Sequence, residues 1–365
     1  LEFVPGEWEY AAKSGNIKLL KIAASAEPWS NANVENALIG ACIKGHLKVV
    51  LFLLSNSSRD IKCRSFQKKD LINRNGDYDI SPIIAACTNN QLNIVEFLIS
   101  QSNIYLGLSD VYDILCSPLH ILAQKGYYQI FSLIGNTVAN LDVIDSFHRT
   151  PLYYASQNGH SDIVKYLIHR RCNKCAQDKN KETPLHAAIQ NEHENILLML
   201  LNIYEKPDLN IQQIHGVTPL MLACLKRNLR IVKMLIKRGA SSLIADENGD
   251  IAINYACFTG CIDIAEYLIS KGHPVNLPNK KNQVPLSYAC ENEDILMTQL
   301  FLSKGKAISN LPDQNGHTPL MISSRTGNLS ICEMLLDNKR NSLYDIDDTG
   351  CSALTYAIEN ENYDL

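Results

Sequence analysis

The sequence has no apolar run long enough to cross a membrane. One of its longest, Val-Val-Leu-Phe-Leu-Leu at 49–54, falls far short of the roughly 18–20 apolar residues that a spanning helix needs. The opening residues, Leu-Glu-Phe-Val-Pro-Gly-Glu-Trp, also lack the basic and apolar regions of a secretory signal peptide. We therefore expect no membrane insertion within these 365 residues.

Positive charge is not in excess either. The chain has 34 Lys and Arg against 38 Asp and Glu, a formal net charge of −4, and its pI is about 6.2. General binders of nucleic acid or of anionic membranes carry a basic surplus, so neither class of partner is expected. The content of 46% hydrophobic and 20% charged residues is typical of a folded soluble protein.

Sequence signatures of catalysis are missing. No segment reads G-x-x-x-x-G-K-[ST] or G-x-G-x-x-G for phosphate binding, and none reads H-E-x-x-H or G-x-S-x-G. The acidic stretches at 291–294 and 359–365 read as solvated turns, because catalytic carboxylates must converge in a cleft. The sequence therefore supports neither an enzyme nor a bound cofactor.

Twelve cysteines would suit a disulfide framework, but their positions argue against one. Five of them follow an alanine at equivalent places, namely Cys42, Cys87, Cys224, Cys257 and Cys290. A residue that recurs once per structural unit cannot easily pair with its own copies. Free cysteine behaves as a small buried hydrophobe, so we expect a reducing compartment, the cytoplasm.

A repeating tetrad of the type Thr-Pro-Leu-His organises the chain. Its second position recurs at steps of 33 to 36 residues, at Pro82, Pro118, Pro151, Pro184, Pro219, Ala252, Pro285, Pro319 and Ala353. A period near 33 that persists over most of a chain indicates a solenoid. Two degenerate copies at 8–25 and 37–55 precede it, which gives about eleven repeats with the last one incomplete.

Each repeat predicts two helices. Ser or Thr caps the first helix and Pro follows at its first position, where the missing N–H costs nothing. A break such as Asn158-Gly159-His160 separates it from a second helix with apolar residues at helical spacing. A loop with Asn-Gly turn chemistry, as at 246–250, leads to the next tetrad.

This pattern resembles the ankyrin repeat, whose consensus runs roughly D-x-x-G-x-T-P-L-H-x-A-x-x-x-G-H before a leucine-rich helix. The resemblance covers nearly the whole chain and implies an all-α solenoid of stacked helix-turn-helix units with projecting β-hairpin-like loops. The first helices would line a concave inner layer and the second helices an outer one. We expect one array over 1–365, with degenerate repeats at 1–55, a loop insertion at 55–80, regular repeats at 81–350 and a truncated last repeat at 351–365.

The resemblance also implies protein–protein interaction without catalysis, through a partner protein or peptide bound on the concave face and loop tips. Positions that vary between repeats are then available for recognition. The candidate partner-binding residues are Phe147, Arg149, Gln157, Lys179, Glu182, Ile214, His215, Val217, Lys226, Asp250, Phe258, Lys280, Lys281, His317 and Arg325. Phe147, Ile214, Val217 and Phe258 are the preferred anchors, since they are apolar where exposure is expected; for any single residue the alternative is a neutral solvent-facing side chain.

The tetrad histidines His120 and His186 have two interpretations. His186, with His193 and glutamates nearby in sequence, would suit a metal or an acid–base pair. Such a role would not survive the replacements found at this position, which are Tyr153, Met221, Asn254, Ser287, Met321 and Thr355. In ankyrin-like repeats this histidine hydrogen-bonds near the helix start and helps to hold adjacent loops, so scaffolding is favoured. His193 matches the Gly-His break, as His46 and His160 do, and is predicted to be a packing residue.

Cys172-Asn173-Lys174-Cys175 is a lone C-x-x-C. A zinc site needs more ligands; His169 offers a third, and no fourth is adjacent in sequence. A redox motif would lie at a helix N-terminus, whereas this segment follows the end of a predicted helix. Structural coincidence is favoured, with a zinc or redox response as the alternative.

The step from Ala37 to Pro82 is 45 residues, longer than the period of the repeat. The surplus at 55–79 is basic and offers a candidate docking loop with Lys62, Arg64, Lys68 and Lys69. This loop would suit an acidic peptide, a phosphopeptide or a phosphoinositide headgroup. The alternative is a mobile, solvated extension. A second variant loop, at 103–116, has more apolar and aromatic residues than its counterparts.

A second hypothesis concerns what lies outside these residues. The chain starts without Met and stops inside what would be a second helix, so we expect a segment of a larger protein, monomeric as a segment. The activity would then reside elsewhere in that protein. Ankyrin-like arrays occur in the cytosolic regions of TRP-like ion channels, in ubiquitin-ligase adaptors and in microbial effectors.

Overall fold

The computed structural model of the 365-residue chain describes residues 7–26, 31–56, 71–73, 80–101, 104–106, 109–111, 114–201, 208–338 and 342–360. Contacts within the chain gather into two compact units, Leu1–Lys179 and Asn180–Leu365. The organisation as one array over 1–365 stays a prediction.

The first unit consists of consecutive helix pairs. Its helices are α1 (Glu7–Lys13), α2 (Ile17–Ala26), α3 (Asn31–Lys44), α4 (Leu47–Asn56), α5 (Pro82–Thr88), α6 (Leu92–Ile99), α7 (Pro118–Lys125), α8 (Tyr128–Gly135), α9 (Pro151–Gln157) and α10 (Ser161–His169). The first helices of successive pairs contact one another, and so do the second helices, which gives two rows of helices. The degenerate repeats within 1–55 therefore form the same helix pairs as the regular ones.

A short antiparallel hairpin precedes α7. Strand β1 (Ser109–Val111) pairs with β2 (Ile114–Cys116), with Asp110 opposite Leu115. Both strands fall in the variant loop 103–116, so the backbone of that longer loop is closed by strand pairing.

The second unit continues the same plan. Its helices are α11 (Pro184–Gln190), α12 (Glu194–Leu201), α13 (Pro219–Leu225), α14 (Leu229–Lys237), α15 (Ala252–Phe258), α16 (Ile262–Ser270), α17 (Pro285–Glu291), α18 (Ile295–Leu300), α19 (Pro319–Thr326), α20 (Leu329–Leu336) and α21 (Ala353–Glu359). Helix α18 runs on into a π-helical turn at Phe301–Gly305. First helices again contact first helices, and second helices contact second helices.

The predicted capping of the first helices is confirmed. Thr218 Oγ1 accepts the backbone N–H of Met221 at 3.3 Å, and Pro219 occupies the first turn. The first helices of repeats 3 to 10 have only seven or eight residues. Isolated helices shorter than about 12–15 residues are marginal in water, so these depend on packing against their neighbours.

Small and aliphatic side chains fill the space between the rows. In repeat 7, Ala223 and Cys224 of the first helix and Ile231 and Val232 of the second are each 0% exposed. The five repeated Ala-Cys cysteines are all buried, and burial raises the pKa of their thiols, Cys42, Cys87, Cys224, Cys257 and Cys290. Each of the eleven cysteines among the described residues is a free thiol. The prediction that the five repeated cysteines are small core hydrophobes is confirmed.

Among the residues that the structure describes, no helix is long and apolar enough to cross a bilayer.

Candidate partner-binding site

An acidic or amide side chain organises each turn of the second unit after repeat 7. Asp246 Oδ1 accepts the backbone N–H groups of Asn248 and Asp250, both at 2.8 Å. The turn is closed by a backbone hydrogen bond from the Asp246 N–H to the Asp250 carbonyl at 2.9 Å. The same side-chain bonds, two and four residues on, are made by Asn279, Asp313 and Asp347. A side-chain acceptor that closes its own turn explains why Asp or Asn recurs there.

The loop side chain is held in turn by a tyrosine nine residues later. Tyr255 Oη donates to Asp246 Oδ2 at 2.7 Å, which fixes the loop to the first helix of its own repeat. Burial, together with Asp246, raises the pKa of Tyr255, so its phenol stays a neutral donor. Further pairs with this spacing are Asp145–Tyr154, Asn279–Tyr288 and Asp347–Tyr356. These pairs were not predicted from the sequence, although their nine-residue spacing recurs there.

Neighbouring loop tips are joined through their backbones. Glu247 N–H donates to the His215 carbonyl and Lys280 N–H to the Asn248 carbonyl, both at 2.9 Å. Within the second unit the turns therefore form a continuous edge, in line with the predicted β-hairpin-like loops.

The charge four residues after the loop carboxylate varies between repeats. That position holds Arg149 in repeat 5 and His317 in repeat 10, but Glu182 in repeat 6 and Asp250 in repeat 8. Asp250 Oδ1 accepts from Asn279 Nδ2 at 3.0 Å and from Tyr288 Oη at 2.9 Å. Burial raises the pKa of Asp250, and the nearby charge of Asp246 acts in the same direction.

Asp246 and Asp250 thus bring two carboxylates close together. Within the described ranges neither of them forms an ion pair with a cationic side chain within 4.0 Å. Their hydrogen bonds come from neutral hydroxyl, amide and backbone groups. The negative charge at this point is therefore met by neutral hydrogen-bond donors and is not neutralised by an ion pair.

A cavity of about 250 Å³ lies beside these two carboxylates, between the loops and the first helices of repeats 7 to 9. Phe258 and Leu225, at the ends of α15 and α13, form its apolar side and are 64% and 40% exposed. Asn248, Asn254, Tyr255 and Tyr288 complete the lining. The cavity is several times larger than the roughly 30 Å³ that one water molecule takes up in the liquid. It therefore has room for a single long side chain. Two residues predicted to bind a partner, Asp250 and Phe258, therefore line one cavity.

Asn254 occupies the tetrad position where repeats 4 and 6 have histidine. Its Oδ1 accepts the Ile251 N–H at 3.2 Å, which caps α15 in place of the missing Ser or Thr. Its Nδ2, on a side chain only 3% exposed, has no hydrogen-bond partner among the described residues. Such a buried, unsatisfied group costs about 1–3 kcal/mol. The cavity lining therefore includes an amide donor whose hydrogen bond is unfilled.

Two further predicted residues, Ile214 and His215, line a second cavity of about 350 Å³ at the loop tips of repeats 7 and 8. Ile214 is 40% exposed. His215 Nδ1 lies 3.3 Å from Glu247 Oε2, and both side chains are exposed. Val217, another preferred anchor, is only partly exposed.

Phe147 and Arg149 lie together in the first unit. The Arg149 guanidinium is 5.4 Å from the ring centre of Phe147 and 4.8 Å from that of Tyr153. Its Nε donates to Asp178 Oδ2 at 3.1 Å. Phe147 is 42% exposed, while Arg149 is engaged by groups of its own chain.

The other predicted residues are distributed along the loops and helix ends. Lys179, Lys280, Lys281 and Arg325 are exposed, and Gln157, Glu182, Lys226 and His317 are partly buried. His317 Nδ1 is 3.2 Å from Asp313 Oδ2, and its Nε2 is 3.5 Å from Asp347 Oδ2. The predicted basic docking loop, with Lys62, Arg64, Lys68 and Lys69, lies outside the described residues.

The C-x-x-C segment follows α10, as expected. Cys172 is 5% exposed, and burial raises the pKa of its thiol to about 12, which disfavours the reactive thiolate. Cys175 is partly exposed. In the described part of the chain, no three His, Cys, Asp or Glu side chains are grouped so that they could hold a metal ion.

The tetrad histidines bind the starts of their own helices, and His120 also contacts the adjacent loop. His120 Nδ1 accepts the Ser117 N–H at 3.0 Å, and its Nε2 is 3.1 and 3.0 Å from the carbonyl oxygens of Val143 and Arg149. His186 Nδ1 is 3.3 Å from the Thr183 N–H. Their scaffolding interpretation is confirmed.

The histidines of the Gly-His break bind the preceding repeat. His46 Nε2 is 2.9 Å from the Lys13 carbonyl oxygen, and His160 Nε2 is 3.0 Å from that of Gln124. Both are packing residues, as predicted.

The family model for ankyrin repeats (3 copies) matches residues 8–110, 119–213, 203–279 and 286–365, nearly the whole length. The chain belongs to the ankyrin-repeat family. Ankyrin repeats are in general protein–protein interaction modules, and their fold is a non-catalytic scaffold. Comparison of this ankyrin-repeat chain with curated proteins gives no significant match.

Proposed function

We propose that this ankyrin-repeat chain is a non-enzymatic scaffold, organised as one array, that binds a partner protein or peptide through the first helices and loop tips of repeats 7 to 9. The observation that carries this proposal is the cavity that joins exposed Phe258 and Leu225 to the carboxylates of Asp246 and Asp250. The free thiols of the cysteines that the structure describes support the cytoplasm as the chain's place of action.

The lining of this cavity has the composition of an interface centre. Binding energy at interfaces is concentrated in a few residues, often aromatic, that become fully desolvated. Burying an exposed Phe or Leu side chain contributes about 1.5–3 kcal/mol. Phe258, with 64% of its surface in water, therefore has much to gain from a partner. The polar groups beside it would fix the partner's orientation.

Peptide selection tests the proposal directly. A library of random 12-residue peptides is selected on the wild-type 365-residue chain alone, and the selected peptides are then measured on the wild type and on a Leu225→Ser/Phe258→Ser variant. Both side chains are exposed, so the variant is expected to keep its helical circular dichroism. Selected peptides should bind the wild-type chain in fluorescence polarisation and lose at least about tenfold in affinity with the variant, since tenfold corresponds to about 1.4 kcal/mol.

A matched control removes two other exposed leucines of the second unit. Leu243 and Leu277 are 62% and 44% exposed and lie outside the cavity lining. Their double substitution by Ser should leave peptide affinity unchanged. The proposal fails if the selected peptides bind the Leu225→Ser/Phe258→Ser variant as tightly as the wild type.

A further inference from the structure

We infer that the cavity of repeats 7 to 9 binds the guanidinium group of an arginine side chain from the partner. This inference rests on the proposed function and names the chemistry that the site selects. Three observations carry it: an internal arginine at the corresponding place of the first unit, a reversal of charge at that place in repeat 8, and the shape and polarity of the cavity.

The first unit shows how an arginine occupies the corresponding place. Arg149 follows the loop residue Asp145 by four positions, as Asp250 follows Asp246. The Arg149 guanidinium packs against the ring of Tyr153 at 4.8 Å and donates through Nε to Asp178, the loop carboxylate of the next repeat. Loop carboxylates and first-helix aromatics of this chain thus already form a guanidinium site.

Repeat 8 has the opposite charge at the same position. Asp250 contacts Asn279, the next loop residue, just as Arg149 contacts Asp178. The arginine is therefore replaced by a carboxylate, and the carboxylate that received it is replaced by a neutral amide. As a result the charged residues that line the cavity are Asp246 and Asp250, both acidic.

These carboxylates would gain from a cation. Burial and the charge of Asp246 raise the pKa of Asp250, which means that the ionised form is held at a cost. Lys281 acts in the opposite direction and lowers this pKa, but in the described part of the chain it makes no ion pair with Asp250 within 4.0 Å. A cation that enters the cavity would reduce this cost.

Arginine fits the cavity better than lysine does. Its planar guanidinium can stack on an aromatic ring while its N–H groups point to carboxylates, and it is more weakly hydrated than an ammonium. Phe258 supplies an exposed ring, and Leu225 supplies an apolar wall for the methylene stem.

The test uses the 365-residue chain and the peptides selected on it. In each peptide that contains arginine, that residue is replaced by citrulline, its uncharged isostere, and separately by lysine. Fluorescence polarisation should show at least about tenfold weaker binding with citrulline and a smaller loss with lysine, because both the charge and the planar shape contribute. Citrulline peptides that bind as tightly as arginine peptides would overturn the inference.

Variants of the chain locate the effect. Asp250→Asn keeps the shape and removes the charge, and should abolish the preference for arginine over citrulline. Glu247→Gln removes one charge from the same loop, but outside the lining of this cavity, and should leave the preference intact. A preference that survives Asp250→Asn, or is lost equally with Glu247→Gln, contradicts the inference.

A second variant avoids any effect of Asp250 on folding. Phe258→Leu keeps an exposed apolar side chain and removes the ring, so it should narrow the difference between arginine and lysine peptides. An unchanged difference would contradict stacking on Phe258. Peptides that depend on Leu225 and Phe258 but bind without arginine would leave the proposed function standing and refute the arginine site alone. Peptides indifferent to the cavity would refute both.

Discussion

Gly249 tests how closely the loops of the second unit stack. Its φ is +86°, and a Cβ there would lie 2.7 Å from the backbone nitrogen of Lys280. A left-handed conformation costs an L-residue about 1–2 kcal/mol. Because the clash is with backbone, no side-chain rotation relieves it, and the Lys280 N–H bond to the Asn248 carbonyl would weaken, at a further cost of about 1 kcal/mol. We expect Gly249→Ala to lower the free energy of unfolding by about 2–3 kcal/mol.

Gly239 provides the matched control. Its φ is +93°, and nothing lies within 4 Å of the Cβ that an alanine would add. Gly239→Ala should therefore cost only the conformational strain, about 1–2 kcal/mol. Urea unfolding of both variants, followed by circular dichroism at 222 nm, compares the two midpoints directly. A Gly249→Ala midpoint no lower than that of Gly239→Ala would refute the close stacking of the loops.

Two other predictions concern single side chains. Tyr255→Phe removes the donor to buried Asp246 and should lower the free energy of unfolding in urea by about 1–3 kcal/mol. Tyr267→Phe is the control, since the buried Tyr267 hydroxyl has no partner among the described residues and its loss should be close to neutral. Equal effects of the two substitutions would contradict the role of the Asp–Tyr pair. Burial lowers the pKa of His120, so the folded state binds this proton less readily than the unfolded state. Stability should therefore fall as the pH drops from 7.5 through the ordinary histidine pKa of about 6.5 and towards the lowered value. The melting temperature of His120→Asn should fall less between pH 7.5 and 5.5 than that of the wild type. An identical fall in the two proteins would contradict this role of His120.

The period of the sequence was sufficient to predict the helix pairs. Pro, Gly and aliphatic residues at fixed positions act locally, through capping, turns and packing against the adjacent repeat. Their pattern in the sequence therefore predicts the helix pairs directly. The Asp–Tyr pairs were also repeated in the sequence, but a hydrogen bond between a loop and a helix has no hydrophobic period to reveal it. Their spacing became meaningful only once the turn geometry was known.

The candidate site was harder to predict because it depends on differences between repeats. Asp250 and Phe258 lie at positions that vary between repeats, and both line one cavity. Arg149 and His317 also lie at variable positions, yet both are engaged by loop carboxylates of their own chain. The orphan amide of Asn254 follows from the exact reach of its side chain, which no sequence pattern encodes.

A fluorescent reporter at position 258 shows whether a partner enters the cavity beside this residue. Phe258→Trp places an indole on a position that is 64% exposed, and the difference spectrum against the wild type isolates its emission. An arginine-containing selected peptide should shift that emission to shorter wavelength in a saturable way, with the same midpoint as in polarisation, because binding removes water from the ring. Peptide binding that leaves the emission unchanged would contradict entry of the partner at this cavity.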